Sequence, residues 1–165
     1  WKRLNGSSGS SAGAAGNRGG AVGVGPGMDL ETGLAYVGSR HRGVLVTLKA
    51  DGRPQLSNIS YGLGEDGVIR ISVTADRAKT KNAGRDPRVS LHVTADDFWS
   101  YVVIEGDAEL TPVAGAAGDA TVDELVELYR ELQGEHPDWD EYRAAMVADG
   151  RLVLRLHPTR AYGMA

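Results

Sequence analysis

The sequence predicts a mainly β fold of the α+β class, an antiparallel sheet or small barrel with a few flanking helices. Short runs rich in branched residues recur at hairpin spacing, turn residues separate them, and few helical patterns lie between them. A parallel doubly wound sheet would instead alternate each strand with a helix. With 165 residues, the chain has the size of one domain.

The N-terminal segment differs in composition from the rest of the chain. Residues 1–27 are dominated by Gly, Ser and Ala, and they cannot bury enough apolar surface to offset their conformational entropy. They also lack the continuous apolar run of a signal peptide, so export is not expected. We predict a flexible tail over 1–27, made of added or upstream translated sequence. A single domain over 28–165 follows, with Met28 as the natural start.

The first half of this domain contains one helix and three strands. A short helix is predicted over 30–37, and strands over 43–49 and 54–61 form a hairpin across the Asp51-Gly52 turn. Pro54 lies at the start of its strand, where a missing amide does least harm. After the turn at 65–67, a third strand is predicted over 68–73.

A basic helix and three further strands complete the sheet. The helix spans about 77–85 and ends at Asp86-Pro87, because the residue before a proline disfavours helix. Strands are predicted over 89–93, 100–110 and 151–156, the last followed by a short extended tail through Tyr162. Asp96 and Asp97, beside Thr94 and before Phe98, indicate a turn. The total is six strands.

Two helices are predicted between the fifth and sixth strands. Thr121 and Glu124 form a capping-box pattern, followed by an apolar stripe at helical spacing. Asp138 and Glu141 repeat the pattern before a second stripe that contains Trp139, Tyr142 and Met146. These aromatic residues are interpreted as core rather than as a cofactor cage.

Composition excludes several classes of function. The net charge is -4 with acids and bases interspersed, so no basic surplus indicates nucleic-acid or membrane-surface binding. Cysteine is absent, which excludes disulfides, thiolate metal sites and cysteine nucleophiles and fits a cytoplasmic location. No apolar run approaches membrane-spanning length. The four histidines lack metal-ligand spacing, so no metal site is predicted.

The segment Arg77-Ala78-Lys79-Thr80-Lys81-Asn82 is a candidate phosphate site. It follows a predicted strand directly and reads as the first turn of a helix. Free backbone amides and the helix dipole favour an anion there, and Lys79 and Thr80 would add a charge and a hydroxyl. From these six residues alone, an ordinary solvated basic helix start is the alternative.

Several segments, in their order and spacing, resemble the flavin and deazaflavin oxidoreductase superfamily. This is the split β-barrel group that includes pyridoxamine 5'-phosphate oxidase, and the chain looks closest to its mycobacterial F420-binding branch. The segments are Leu45–Asn58, Arg77–Asn82, Arg85–Arg88, Trp99–Tyr101, Glu105-Gly106 and, in the helical insertion, Gly134–Arg143.

The resemblance implies a six-stranded antiparallel split β-barrel with flanking helices and a homodimer with two cofactors at the subunit interface. The cofactor ring would lie against Gln55, Leu56, Ser57, Asn58 and Ile59, and its phosphate would meet Arg77, Lys79, Thr80 and Asn82. A residue near Trp99 or Tyr101 would approach the cofactor from across the interface; core packing is the alternative for Trp99.

The choice between F420 and FMN depends on two positions. Pyridoxamine-phosphate oxidases carry an arginine near the position of Ser57 and a lysine near that of Gly62, and this chain has neither. F420 also carries an oligoglutamate tail that would favour cations around the groove. The candidate cations are Lys49, Arg53, Lys81 and Arg85. An ordinary surface charge is the alternative interpretation of each.

The resemblance therefore implies an F420H2-dependent reductase that acts on a small unsaturated or conjugated molecule. The alternatives are an FMN-binding oxidase or reductase and an F420 carrier without efficient turnover. No catalytic residue is assigned; Tyr61, Tyr101 and solvent are the candidate proton donors.

Overall fold

The sheet and helices follow the predicted order closely. The computed structural model describes residues 27–164. The strands are β1 Gly27–Met28, β2 Arg42–Leu48, β3 Pro54–Ser60, β4 Gly62–Leu63, β5 Ile69–Thr74, β6 Arg88–Thr94, β7 Tyr101–Leu110 and β8 Arg151–Met164. The helices are α1 Leu30–Gly38, α2 Ala78–Arg85, α3 Ala120–Gln133 and α4 Trp139–Ala148. The six predicted strands are confirmed, and β1 and β4 are additional two-residue strands. The predicted N-terminal tail, apart from Gly27, lies outside the described residues.

All strand pairs are antiparallel, in the order β3-β2-β6-β7-β8-β5-β4, and β1 pairs with β8. The sheet curls so that parts of β3 and β5 lie within 8 Å of each other. The result is a half-closed barrel, as the α+β prediction required. Among residues 27–164, no helix is both long and apolar enough to cross a membrane.

The inner face of the curled sheet forms the main core. Alternate residues of each strand point inward, and Leu45, Leu91, Ile104 and Leu154 are fully buried there. Helix α1 packs on β7 and β8 at Gly33, where an added Cβ would lie 2.5 Å from the Cβ of Ala161. Glycine is therefore required for this close approach.

The last strand is longer than predicted. A strand ending at Leu156 with an extended tail was expected, but β8 continues to Met164 and pairs with β7 from Leu154 to Met164. The register shifts between Glu105 and Gly106, whose partners are Arg160 and Pro158, so Thr159 is the extra residue of a bulge. Pro158 is tolerated because the irregular pairing there removes the need for its missing amide.

The predicted capping box of α3 is wrong. Asp119 is the N-cap, and its Oδ1 accepts from the Val122 amide at 2.8 Å. Thr121 is already helical and donates its hydroxyl to Pro112 O at 2.9 Å. Aspartate is as good a cap as threonine, and the helix therefore begins one residue before the expected cap. Glu124 is left for a different role.

Helix α4 begins as predicted, and its aromatic residues pack. Asp138 is the N-cap and accepts from the Glu141 amide at 3.0 Å. Trp139 and Tyr142 contact Tyr129 of α3 with ring centroids 5.7 and 4.9 Å apart. Met146 joins a second small core beneath this hairpin. Tyr142 packs against this core as predicted, whereas Trp139 lies outside it, half-buried in ring contact with Tyr129.

Glu124 holds α3 onto the sheet through two arginines. Its Oε1 accepts from Arg70 Nε at 2.8 Å and from Arg155 Nε at 2.9 Å, and its Oε2 accepts from Arg155 Nη2 at 2.6 Å. Arg70 on β5 and Arg155 on β8 are direct cross-strand partners, and Glu124 lies between their charges, while Asp66 and Glu109 each pair with one of them from the exposed side. Desolvation opposes ionisation of Glu124, but the hydrogen bonds from both arginines prevail and lower its pKa.

We expect Glu124→Gln to lower the free energy of unfolding by about 2 kcal/mol at pH 7, because it removes the charge between two partly buried arginines. The folded-state pKa of Glu124 lies below the usual 4.5. Its contribution is therefore fully present above that value and is lost as pH falls through the folded-state pKa. Urea unfolding of both proteins from pH 7 to pH 3 measures this difference. Glu127→Gln, on an exposed residue of the same helix, is the control; an equal loss in both variants would contradict the role.

Candidate functional site

Strand β3 carries the predicted ring-binding residues on two different faces. It is the end strand of the sheet, and exposed residues alternate along it with half-buried ones. Leu56 and Asn58 face outward with Val46 and Val44 as cross-strand partners. Gln55, Ser57 and Ile59 occupy the alternate positions and lie on the inner side.

The inward polar residues of β3 belong to a hydrogen-bond network that fixes helix α2. Asn82 Nδ2 donates to Thr47 Oγ1 at 3.1 Å, and Thr47 donates to Gln55 Oε1 at 3.0 Å. Gln55 Nε2 donates to Ser57 Oγ at 2.8 Å, and Arg85 Nη2 donates to Asn82 Oδ1 at 3.0 Å. Thr47 and Asn82 are buried, so their pairing satisfies groups that would otherwise be costly. The network sets the position of α2 relative to β2 and β3.

The start of α2 presents free donors. Arg77 is the N-cap in extended conformation and makes no side-chain cap. The amides of Thr80 and Lys81 both reach Arg77 O at 3.1 Å, whereas those of Ala78 and Lys79 have no protein acceptor among the described residues. Such orphan amides at a helix N-terminus favour an anion.

The predicted phosphate-binding side chains divide into two groups. Thr80 is buried, and its hydroxyl donates to Thr74 O at 2.8 Å. Asn82 belongs to the network with Thr47, so both residues shape the helix start rather than present open donors. Arg77 is exposed and Lys79 is half-exposed, and neither forms an ion pair within residues 27–164.

A carboxylate lies beside this helix start. Asp76 accepts from the Thr74 hydroxyl at 2.8 Å. This hydrogen bond, and then the charges of Arg77 and Lys81, lower the pKa of Asp76. Asp76 therefore partly offsets those two cations, and Lys79 is the cation best placed to contact an anion at the free amides.

Two of the four cations proposed for an acidic tail are engaged elsewhere. Arg53 pairs with Asp51 at 2.5 Å, and Arg85 donates to Leu48 O at 2.6 Å. Lys49 and Lys81 are exposed and form no ion pair in the described part of the chain. These exposed lysines are the cations that a tail could contact.

The outer side of β3, β2, β6, β7 and β8 forms a broad surface that we call the open face. One row of cross-strand partners runs Asn58, Val44, His92, Val103 and Tyr162. Among residues 27–164 no helix covers it: α1 and α2 pack elsewhere, and the α3–α4 hairpin covers the other half of β8. Its members include Val44, Val46, Leu48, Leu56, Asn58, Ser90, His92, Thr94, Tyr101, Val103, Tyr162 and Met164, and the charged Glu105 and Arg160 lie on the row of Val46 and Ser90.

A groove of about 450 Å³ lies at one end of the open face. Asn58 and Ile59 of the predicted site line it together with His92. A second groove of about 410 Å³ continues from it past Arg40, and Ser60 lies in both. The sequence analysis did not assign His92 and Ser60 to the site. Strand alternation could have indicated His92, because it pairs with Val44 and so lies on the same face of the sheet.

Position 62, where a lysine would favour FMN, is occupied by a close contact. Glu131 of α3 accepts from the Leu63 amide at 3.0 Å, and a Cβ added at Gly62 would lie within 2.8 Å of its carboxylate oxygens. A lysine here would therefore displace Glu131. At the other position, the Ser57 hydroxyl is engaged with Gln55.

Trp99 is a surface residue, so its alternative reading as a core residue is wrong for this chain. It is 76% exposed at the tip of the β6–β7 hairpin, next to Phe98, which is 74% exposed. Asp97 accepts from the amides of Trp99 and Ser100 and so fixes the turn, as predicted. The two aromatic side chains project beside the open face at Thr94 and Tyr101.

The two candidate proton donors differ sharply. Tyr61 is fully buried, its hydroxyl donates to Val37 O at 2.7 Å, and burial raises its pKa. It cannot reach a substrate. Tyr101 lies half-exposed on the open face, with its ring centroid 5.5 Å from that of His92.

The sequence profile of a family described as Pyridoxamine 5'-phosphate oxidase matches residues 32–165. Among solved structures, the chain is 24% identical to a conserved hypothetical protein, Rv2991, from Mycobacterium tuberculosis, with a TM-score of 0.64 over 83% of this chain and 84% of that one. A protein described as an F420 reductase is 24% identical, with a TM-score of 0.57 over 74% and 89%. HutZ, a heme storage protein from Vibrio cholerae, is 16% identical, with a TM-score of 0.60 over 82% and 95%. Likeness at these identities establishes the shared fold.

Proposed function

The chain belongs to the pyridoxamine 5'-phosphate oxidase family, and on that premise we propose that it is an F420H2-dependent reductase for a small unsaturated or conjugated substrate. One observation carries the proposal. The start of α2, with two free amides and Lys79, is held beside β3 by buried hydrogen bonds. This arrangement fits a cofactor that has both a phosphate and a planar ring.

The residues present fit F420 better than FMN. The amides of Ala78 and Lys79, with the Lys79 ammonium, would hold the phosphate, and Asn58 and Ile59 would contact the ring. Neither the arginine nor the lysine of the oxidases is present, and Glu131 occupies the space that the lysine would need. That a fold neighbour is described as an F420 reductase supports the same choice.

A homodimer through the open face is part of the proposal. Leu56 and Met164 on this face are 61% and 60% exposed, and Leu56 lies beside the half-buried Val46. Apolar residues clustered on one exposed surface mark an interaction site. Pairing two such faces would cover them and would bring the exposed Trp99 of each chain towards the partner. The groove beside His92 would then be closed by the second subunit.

The residues of this chain would bind the cofactor, orient the substrate and exclude water from the groove. When bound, reduced F420 supplies the hydride, and this difficult chemistry belongs to the cofactor. The groove at the end of β3 would place the substrate against the ring. Because Tyr61 is buried and hydrogen-bonded, the product would take its proton from solvent or from Tyr101.

Haem binding is the competing function, since one fold neighbour is described as a heme storage protein. A specific observation favours it: His92 lines the groove, and imidazole is a common haem ligand. An F420 carrier without turnover is the other alternative, because its site would be identical.

Side-by-side titration with F420, FMN and hemin separates these functions. We expect saturable F420 binding at micromolar or lower concentration, with FMN and hemin at least tenfold weaker. A preference for either of the others would overturn the proposal. Steady-state oxidation of F420H2 with a panel of enones and imines then distinguishes reductase from carrier. Binding without any turnover would favour the carrier.

A further inference from the structure

A cavity of about 300 Å³ lies between the sheet and the α3–α4 hairpin. Its floor is apolar, formed by the buried side chains of Leu125, Leu128 and Met146. Its polar lining includes Ser72 of β5 and Arg151 at the start of β8. The cavity is thus apolar on one side and cationic on the other.

Arg151 has unused donor capacity. Its Nε is buried and is the single buried side-chain polar atom without a hydrogen-bond partner in the part of the chain described, 27–164. Asp149 Oδ2 lies 3.6 Å from Nε, too far for a hydrogen bond, and Asp149 is half exposed to solvent. Arg151 Nη1 lies 3.3 Å from Ser72 Oγ, a long contact. Nε has less than 1 Å² of accessible surface and so is closed to a ligand. The Nη groups form no short hydrogen bond within residues 27–164 and are the donors that a ligand in the cavity can reach.

We infer that this cavity binds a small amphipathic monocarboxylate. The carboxylate would accept from Arg151 Nη1 and Nη2, a planar pairing for which the guanidinium is suited, with Ser72 as a further donor. The apolar part would lie on Leu125, Leu128 and Met146. A neutral molecule of the same size would not pair with the guanidinium, so charge and not only shape would select the ligand.

The cavity adjoins the cofactor groove, because Ser60 lines both. That this cavity holds a carboxylate-bearing substrate beside the cofactor rests on the proposed function. Carboxylate binding itself does not, since it depends only on Arg151 and the apolar floor.

The test uses n-hexanoate as probe and hexan-1-ol as its neutral counterpart, measured by calorimetry on cofactor-free protein. We expect saturable hexanoate binding that Arg151→Gln weakens at least tenfold, and hexanol binding that the substitution does not change. Arg143→Gln on α4, outside the cavity, is the matched control and should bind hexanoate normally. No saturable hexanoate binding, or equal binding by the Arg151 and Arg143 variants, would overturn the inference.

A second variant guards against misfolding of Arg151→Gln. Leu128→Trp would fill the cavity floor while keeping the cation, and should abolish hexanoate binding while circular dichroism stays native. F420 titration of the same proteins separates this inference from the proposed function. F420 binding should be unchanged by Arg151→Gln, and displacement of hexanoate by F420 would assign the cavity to the cofactor and overturn a separate site.

Discussion

Replacing Lys79 by alanine is expected to weaken F420 binding about tenfold to a hundredfold. The phosphate would lose one charge-assisted hydrogen bond at a helix start where the neighbouring cations are partly offset by Asp76. The backbone amides of Ala78 and Lys79 remain, so binding should be weakened rather than abolished. Equilibrium fluorescence titration of wild type and variant measures the change.

Two controls make this result specific to the phosphate. Lys2→Ala removes the same charge from the N-terminal segment and should leave F420 affinity unchanged. The deazaflavin FO lacks the phosphate, so Lys79→Ala should barely alter its binding. Equal losses for F420 in both lysine variants, or an equal loss for FO and F420, would refute the phosphate site at α2.

The sequence predicted the long elements well because their signals are local. The Asp51-Gly52 hairpin, the basic helix and the six main strands depend on turn residues and alternation within a few positions. The short strand β1 depends on a partner distant in sequence, since Gly27 pairs with Tyr162, whereas β4 pairs with the adjacent β5. Both have only two residues, too few to carry a periodicity. The start of α3 was misplaced because both Asp119 and Thr121 are good cap residues, and only the surrounding contacts select between them.

The helix that carries the candidate phosphate site was predicted from the sequence, but the orientation of its side chains was not. Thr80 and Asn82 are in the expected helix, yet their side chains bond to Thr74 and Thr47, because inward helix positions must satisfy polar groups within the core. The sequence likewise did not indicate that one face of the sheet would be left without a covering helix. Valines at 44, 46 and 103 read as ordinary strand residues, and only the topology shows that no helix among residues 27–164 covers them.

The open face should fail to associate when a charge is placed in it. Val46 is half-buried there, between Leu56 of β3 and Ser90 of β6. In a single chain, a lysine at this position can extend its ammonium into water, so Val46→Lys should fold. In a dimer the ammonium would be desolvated at the interface, at a cost of several kcal/mol that the nearby carboxylate of Glu105 would offset only in part. We expect wild type to sediment as a dimer at micromolar concentration and Val46→Lys as a monomer.

Val113→Lys is the matched control, because Val113 is 46% exposed in the segment before α3, away from the open face. It should remain a dimer. A monomeric wild type, or a dimeric Val46→Lys, would refute the interface.

The Val46→Lys variant also tests whether the partner completes the cofactor site. If Trp99 of one chain covers the groove of the other, monomeric Val46→Lys should lose F420 affinity although its own α2 donors are intact. Unchanged affinity in the monomer would place the whole site within one chain.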